Sequence, residues 1–286
     1  MLELESESGF VSGPGAHAEL IEQSAELGSD QLAELTLSAL RYGALLGHAP
    51  LGVANRLYAF NRTPLTVQLR RRLPSEAAAA RALGISRRGR LLRLLAQRGW
   101  EEVEPSPRYA MWRTFHRAGR PGRRLGFKLY ASPRIESLAA TLGGVLDALS
   151  SSEAGAFKIG RELPDLVRPD KLVAYFATRR QLDAAANAVA GVLGGAEVQG
   201  VPFTAAADER GITSWGRDPP RDFRHSPWER PSWRLWVVDR LAVSMVSALD
   251  AAANVDPVTF ALDRLALNGV DVSNWTPDPA IWGNGR

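Results

Sequence analysis

Between residues 125 and 206 the apolar positions switch repeatedly between a two-residue and a helical period. In "LGFKLYAS", Phe127, Leu129 and Ala131 alternate with Lys128, Tyr130 and Ser132, the pattern of a strand with two unlike faces. "PRIESLAATLGGVLDALSS" then spaces its leucines as a helix does, "GAFKIGR" and "KLVAYFA" read as strands, "TRRQLDAAANAVAGVLGG" as a helix, and "VQGVPFTA" as a short strand or extended loop. This β-α-β-β-α-β order predicts an α+β fold with helices on one face of a sheet. Beyond it the pattern predicts a Trp/Pro/Arg-rich loop, "SWGRDPPRDFRHSPWERPSW", two closing helices over 233–253 and 257–268, and an ordered tail.

The first half is patterned differently. Its first dozen residues are rich in Glu, Ser and Gly and predict a loose segment, and two amphipathic helices follow between His17 and Gly47, the second capped by "SDQLAE". "SEAAAARALGIS" predicts a capped helix stopped by Gly84, and "SRRGRLLRLLAQRGW" a second one with Leu91, Leu92, Leu94 and Leu95 on its buried side. That cadence predicts a helix-turn-helix, with "WEEVEPSPRYAMWRTFHR" supplying a wing and "AGRPGRR" an exposed linker. The expected division is a helical, winged-helix-like domain over 1–122 and an α+β domain over 123–286.

Composition narrows the chemistry. The net charge is +4, carried by 32 Arg and only three Lys, so the high isoelectric point reports side-chain choice more than a strong field. The absence of cysteine excludes disulfides and thiol nucleophiles, and four scattered histidines predict no metal site. No cofactor motif is present: no glycine-rich phosphate loop stands between a strand and a helix, and no Ser/His/Asp order suggests a hydrolase. The acidic N-terminus and the lack of a long apolar run predict a cytoplasmic protein without membrane spans. The eight tryptophans predict packing and cation-π contacts.

Lys128, Lys158 and Lys171 fall within 44 residues of one another. Lysines at strand edges are ordinary, yet arginine serves a solvated edge as well and cannot lose its proton. A lysine kept in an arginine-using chain therefore points to proton transfer or to a compact cation.

"FKLYAS" resembles the lysine-bearing strand of bacterial phosphothreonine lyases and of the related lyase domains in lanthipeptide synthetases, with "AFKIGR" and "RPDKLVAYF" resembling the strands that follow. The pattern is closer to the divergent, effector-like stand-alone lyases of peptide natural-product clusters, including those of class V lanthipeptides and thioamitides, and the resemblance covers about residues 125–240. The resemblance implies elimination of phosphate from phosphoserine or phosphothreonine in a phosphorylated precursor peptide, giving dehydroamino acids. It implies a separate kinase as partner, no cofactor and no nucleic acid. By position Lys128 matches the general base, and Tyr130 stands where the better-known lyases carry a histidine acid. Either Tyr130 is the acid, or His116 or His225 takes that role, or elimination is lost. Lys158 and Arg161 match phosphate-binding positions, with Lys171, Arg217 and Arg234 as further candidates. Asp170 and Asp218 are placed to hold basic side chains, and "GVPFTAAADERGITSWGRDPP" reads either as an ordered loop or as a cover over substrate.

The helix-turn-helix carries three readings: core packing, capture of a leader peptide as an edge strand, and DNA binding through the arginines at 70–72, 81, 87, 88, 90, 93 and 98. A non-catalytic subunit of the same fold, binding a precursor peptide or a kinase, is the alternative to the enzyme.

Overall fold

A computed structural model of the chain describes residues 3–6, 9–16, 25–45, 49–104, 110–119, 125–220, 232–251 and 255–282. The N-terminal elements are β1 (Glu3–Ser6), β2 (Gly9–Ser12), α1 (Gln31–Ala44), α2 (Pro50–Ala59), α3 (Val67–Arg72), α4 (Glu76–Ala82) and α5 (Arg90–Gln97). The sheet-forming part follows: β3 (Trp100–Val103), β4 (Trp112–Arg117), β5 (Phe127–Ala131), α6 (Ile135–Ser151), β6 (Ala156–Gly160), α7 (Leu163–Leu166), β7 (Leu172–Phe176) and α8 (Arg179–Val192). The chain ends with β8 (Ala205–Ala206), β9 (Thr213–Arg217), α9 (Trp233–Leu249), α10 (Pro257–Leu267), β10 (Val270–Asp271), β11 (Thr276–Pro277) and α11 (Pro279–Trp282). The fold is α+β, and no described helix is long and apolar enough to cross a membrane.

Local chemistry sets the helix starts. The Asp30 carboxylate accepts from the Ala33 amide at α1, Ser75 Oγ accepts from Ala78 at α4, and Thr178 and Gln181 form a reciprocal capping box at α8. Gly84, at φ +70°, ends the turn after α4. The first amphipathic helix expected after His17 falls largely outside the described residues. The opening segment differs from expectation: instead of a loose tail, β1 and β2 pair antiparallel, Glu3 opposite Ser12 and Ser6 opposite Gly9. Such local pairing needs no distant partner.

The chain forms two compact units, each assembled from separated stretches. One comprises Met1–Phe60, Pro202–Ala205 and Arg217–Gly285, the other Asn61–Val201 and Ala206–Gly216. The division expected at residue 122 thus falls inside the second unit. The physical reason is the hairpin β3–β4. It was expected to be a wing of a separate domain, but β4 pairs antiparallel with β6, Thr114 opposite Lys158 and Phe115 opposite Phe157. The hairpin is the margin of the main sheet.

In the first unit, α9 is the central helix, packed by α2 and α10. Trp233 and Trp236 of α9 meet Trp282 edge-on at centroid distances of 5.6 and 5.1 Å, and the Trp233 indole N–H donates to the Phe203 carbonyl at 2.8 Å. Arg240 lies 3.8 Å over Trp236, one of the expected cation-π contacts.

The second unit is built on a seven-stranded sheet in the order β3-β4-β6-β7-β5-β9-β8. Strand β9 comes from "TSWGR", inside the stretch read as a loop. One sheet face carries Phe115, Phe157, Leu129, Ala174 and Phe176. Helix α8 packs against β5 and β7, and α6 against α8, burying Leu138, Leu142, Leu146, Leu182 and Val189. Phe157 lies between Phe115, stacked at 4.7 Å, and Trp100, edge-on at 4.8 Å. Replacing Phe157 by Ala is expected to cost about 3–5 kcal/mol in urea unfolding, and a loss below ~1 kcal/mol would show that this aromatic stack does not anchor the sheet.

Candidate functional site

The face of the sheet opposite α8 carries the polar side chains, and cross-strand register arranges them in rows. His116, Ala156, Tyr175 and Lys128 form one row across β4, β6, β7 and β5, and Thr114, Lys158, Val173 and Tyr130 form the next. Trp112 and Gly160 begin a third, where the Gly160 amide donates to the Lys171 carbonyl at 2.9 Å. Alternation along β7 puts Lys171 on this same face, two residues before Val173. The three lysines and Tyr130 therefore share one side of one sheet.

Their surroundings differ. Lys128 is buried, with Nζ 5.6 Å from the centre of the Tyr175 ring. Tyr130 is 3% exposed and packs with Val173, Val201 and Tyr175. Lys158 is half-buried on β6, its Nζ 4.0 Å from the centre of the Trp112 ring, a cation-π distance. Lys158 and Tyr130 are separated by Val173, two strand spacings or ~10 Å between backbones.

Arg168, which sequence reasoning passed over, lies 5.2 Å from the same Trp112 ring. The buried Asp170 carboxylate grips it bidentately, accepting from Nε at 2.9 Å and Nη2 at 3.0 Å. Asp170 thus holds a basic side chain as expected. Asp218 accepts from the Trp233 backbone amide at 3.0 Å.

Lys171 is fully buried and sits in a closed network. Its Nζ donates to the Pro133 carbonyl at 2.8 Å and to Gln199 Oε1 at 2.7 Å. Gln199 Nε2 donates in turn to the Asn61 and Val167 carbonyls, and Asn61 Nδ2 returns a bond to the Gln199 carbonyl. Burial lowers the Lys171 pKa to about 7, against the partly offsetting attraction of Asp170 and Glu136. A neutral amine has two N–H groups, which these two acceptors satisfy; an arginine could not shed its charge here.

One residue beyond Gly160, Arg161 alternates onto the face opposite Lys158, where Nε pairs with Glu76 at 3.0 Å and Nη1 donates to the Ala110 carbonyl at 3.2 Å. Arg217 ends β9, the strand beside β5, and Arg234 belongs to the first unit. Arg234 is buried there on α9, donating from Nε to the Pro202 carbonyl at 3.1 Å and from Nη2 to the Tyr58 carbonyl at 3.0 Å. His116 is exposed on β4, three strands from Lys128 in the same row. His225 is outside the described residues.

No family model and no curated protein matches the chain. The effector protein from Pseudomonas syringae pv. tomato strain DC3000 is similar in structure, with a TM-score of 0.54 at 10% identity over 87% of this chain and 99% of that one. This likeness is one of fold. The effector protein from Pseudomonas syringae pv. syringae strain 61 gives a TM-score of 0.47 at 13% identity, covering 85% and 97% of the two chains. A phosphothreonine lyase effector protein of Chromobacterium violaceum gives 0.36 at 14% identity, covering 49% and 77%.

The depressed Lys171 pKa has a signed consequence. Below pH 7 the amine is protonated in both folded and unfolded chains, and burying the charge is a constant cost. Between about 7 and the unfolded value of 10.5 only the unfolded chain holds the proton, so stability rises with pH. Urea unfolding between pH 7 and 9.5 should show, for the native protein relative to Lys171→Met, an extra increase approaching one proton in slope. Parallel pH profiles for the two proteins would remove Lys171 from this account.

Proposed function

We propose that this chain is a lyase that eliminates phosphate from phosphoserine or phosphothreonine in a ribosomal precursor peptide, leaving dehydroalanine or dehydrobutyrine, with a separate kinase supplying the phosphorylated substrate. The observation that carries the reading is the shared face of Lys128, Tyr130 and Lys158, in adjacent rows of one sheet. The motif resemblance of the same strands supports it.

The chemistry needs a base, an acid and charge compensation. A neutral amine takes the α-proton, the C–H electron pair becomes the Cα=Cβ bond, and the Cβ–O bond breaks as phosphate leaves. In this reading Lys128 is the base, Tyr130 gives the proton to the bridging oxygen, and the Lys158 ammonium meets the phosphate charge as it develops. A tyrosine hydroxyl can donate a proton or a hydrogen bond to that oxygen.

The register also favours a second assignment. Tyr130 and Lys158 face each other across Val173, whereas Lys128 and Tyr130 are neighbours on β5. The acid and Lys158 then lie on opposite sides of β7, an arrangement with Lys158 as base and Lys128 on the anion.

Incubation with a phosphoserine peptide should release inorganic phosphate and leave a product ~18 mass units lighter than the unphosphorylated peptide, as loss of the phosphate and one α-proton requires. Lys128→Ala should abolish turnover, Tyr130→Phe should lower kcat by roughly 10²–10⁴, and Lys158→Ala should lower kcat less and raise KM as well. A kcat collapse in Lys158→Ala with a KM effect in Lys128→Ala would exchange the two lysine roles. Absence of elimination with peptide binding intact in Lys128→Ala would instead identify a non-catalytic binding subunit.

A further inference from the structure

On the far side of the sheet from the lysines, α4, the turn after it and α5 border an open groove of ≈ 1130 Å³ against Glu102 of β3 and Arg113 of β4. Typical small-molecule clefts hold about 300–1,000 Å³, so an extended ligand suits this one better. Its floor is apolar: Ala77, Ala80 and Ile85 line it together with Leu92, which was expected on the buried side of α5 but is only half-buried.

The charges around this floor are not balanced. Glu76 pairs with Arg161 at 3.0 Å, Glu102 takes Arg113 bidentately at 2.6 and 2.7 Å, and Glu162 is engaged in the capping box of α7. Every carboxylate lining the groove is already committed within the protein. Arg81, Arg87 and Arg88, all exposed, have no ion-pair partner among the described residues. The turn presenting Arg87 and Arg88 is closed and specific: the Leu91 amide donates to the Gly84 carbonyl at 3.1 Å, and a Cβ on Gly89 would stand 2.2 Å from that oxygen.

We propose that this groove docks an acidic peptide segment through an apolar side chain set against Leu92, with carboxylates answered by Arg81, Arg87 and Arg88. The apolar floor fits a peptide side chain better than duplex DNA, most of whose contacts go to phosphate and sugar. That the segment belongs to the precursor peptide, remote from the phosphorylated residue, rests on the lyase reading; the docking itself does not. The groove would then hold the substrate polypeptide by a part that does not react.

The test is fluorescence anisotropy on the full chain with a short labelled Glu/Leu peptide, its Gln/Leu counterpart and a duplex oligonucleotide as competitor. The Glu/Leu peptide should bind, more weakly as salt rises, and lose ~10-fold or more in affinity in the double variant Arg87→Ser/Arg88→Ser. Leu92→Ser should weaken it as well. Because both arginines are exposed, thermal melting should be unchanged in the double variant. Equal binding of the Glu and Gln peptides, no effect of the arginine changes, or tighter binding of the duplex through the same arginines would each overturn the proposal. Peptide binding without phosphate elimination would leave the docking groove standing and remove the lyase.

Discussion

Everything proposed for the polar face depends on the register of β5, β7 and β6. Lys128 opposite Tyr175, Tyr130 opposite Val173, and Val173 opposite Lys158 are consequences of one pairing frame. In a pleated sheet a slip of one residue moves every side chain of a strand to the other face. A slipped β5 would bring Lys128 and Tyr130 under α8 and expel Phe127 and Leu129. The apolar face thus fixes the polar one: Phe157, Leu129 and Phe176 must be covered by α6 and α8, and the lysines follow by alternation.

The Lys171 network sits where that frame begins on β7. It ties the end of β5 at Pro133, the start of β7, and the segments at Asn61 and Gln199 into one set of bonds. Buried polar groups are costly unless satisfied, and here the acceptor count matches a neutral amine. So the three lysines are kept for different reasons. Lys171 is held inside that network, while Lys128 and Lys158 lie on either side of β7 beside the Tyr175 and Trp112 rings.

Arginine is used in two ways by the same chain. Arg113, Arg168 and Arg234 are buried and spend their donors on carboxylates or backbone carbonyls. Those on the turn after α4 are exposed beside a groove whose acidic residues are occupied. Composition does not separate these groups; only their partners do.

The sequence by itself determined the central strands and helices and the faces of those strands. Period two in "FKLYAS" and "AFKIGR" and the helical spacing of 135–151 and 179–192 are local properties, and the structure has those strands and helices. Strand order is not local. That β4 pairs with β6, that "TSWGR" adds a strand, and that the units interleave along the chain were decided by which apolar faces could be buried together. The same holds for the site. Alternation foretold that Lys128 and Tyr130 share a face, but only the β6-β7-β5 order brings Lys158 and Lys171 to it. It sends Arg161 to the other side, because a residue's face is set by its strand and its neighbours by the whole sheet.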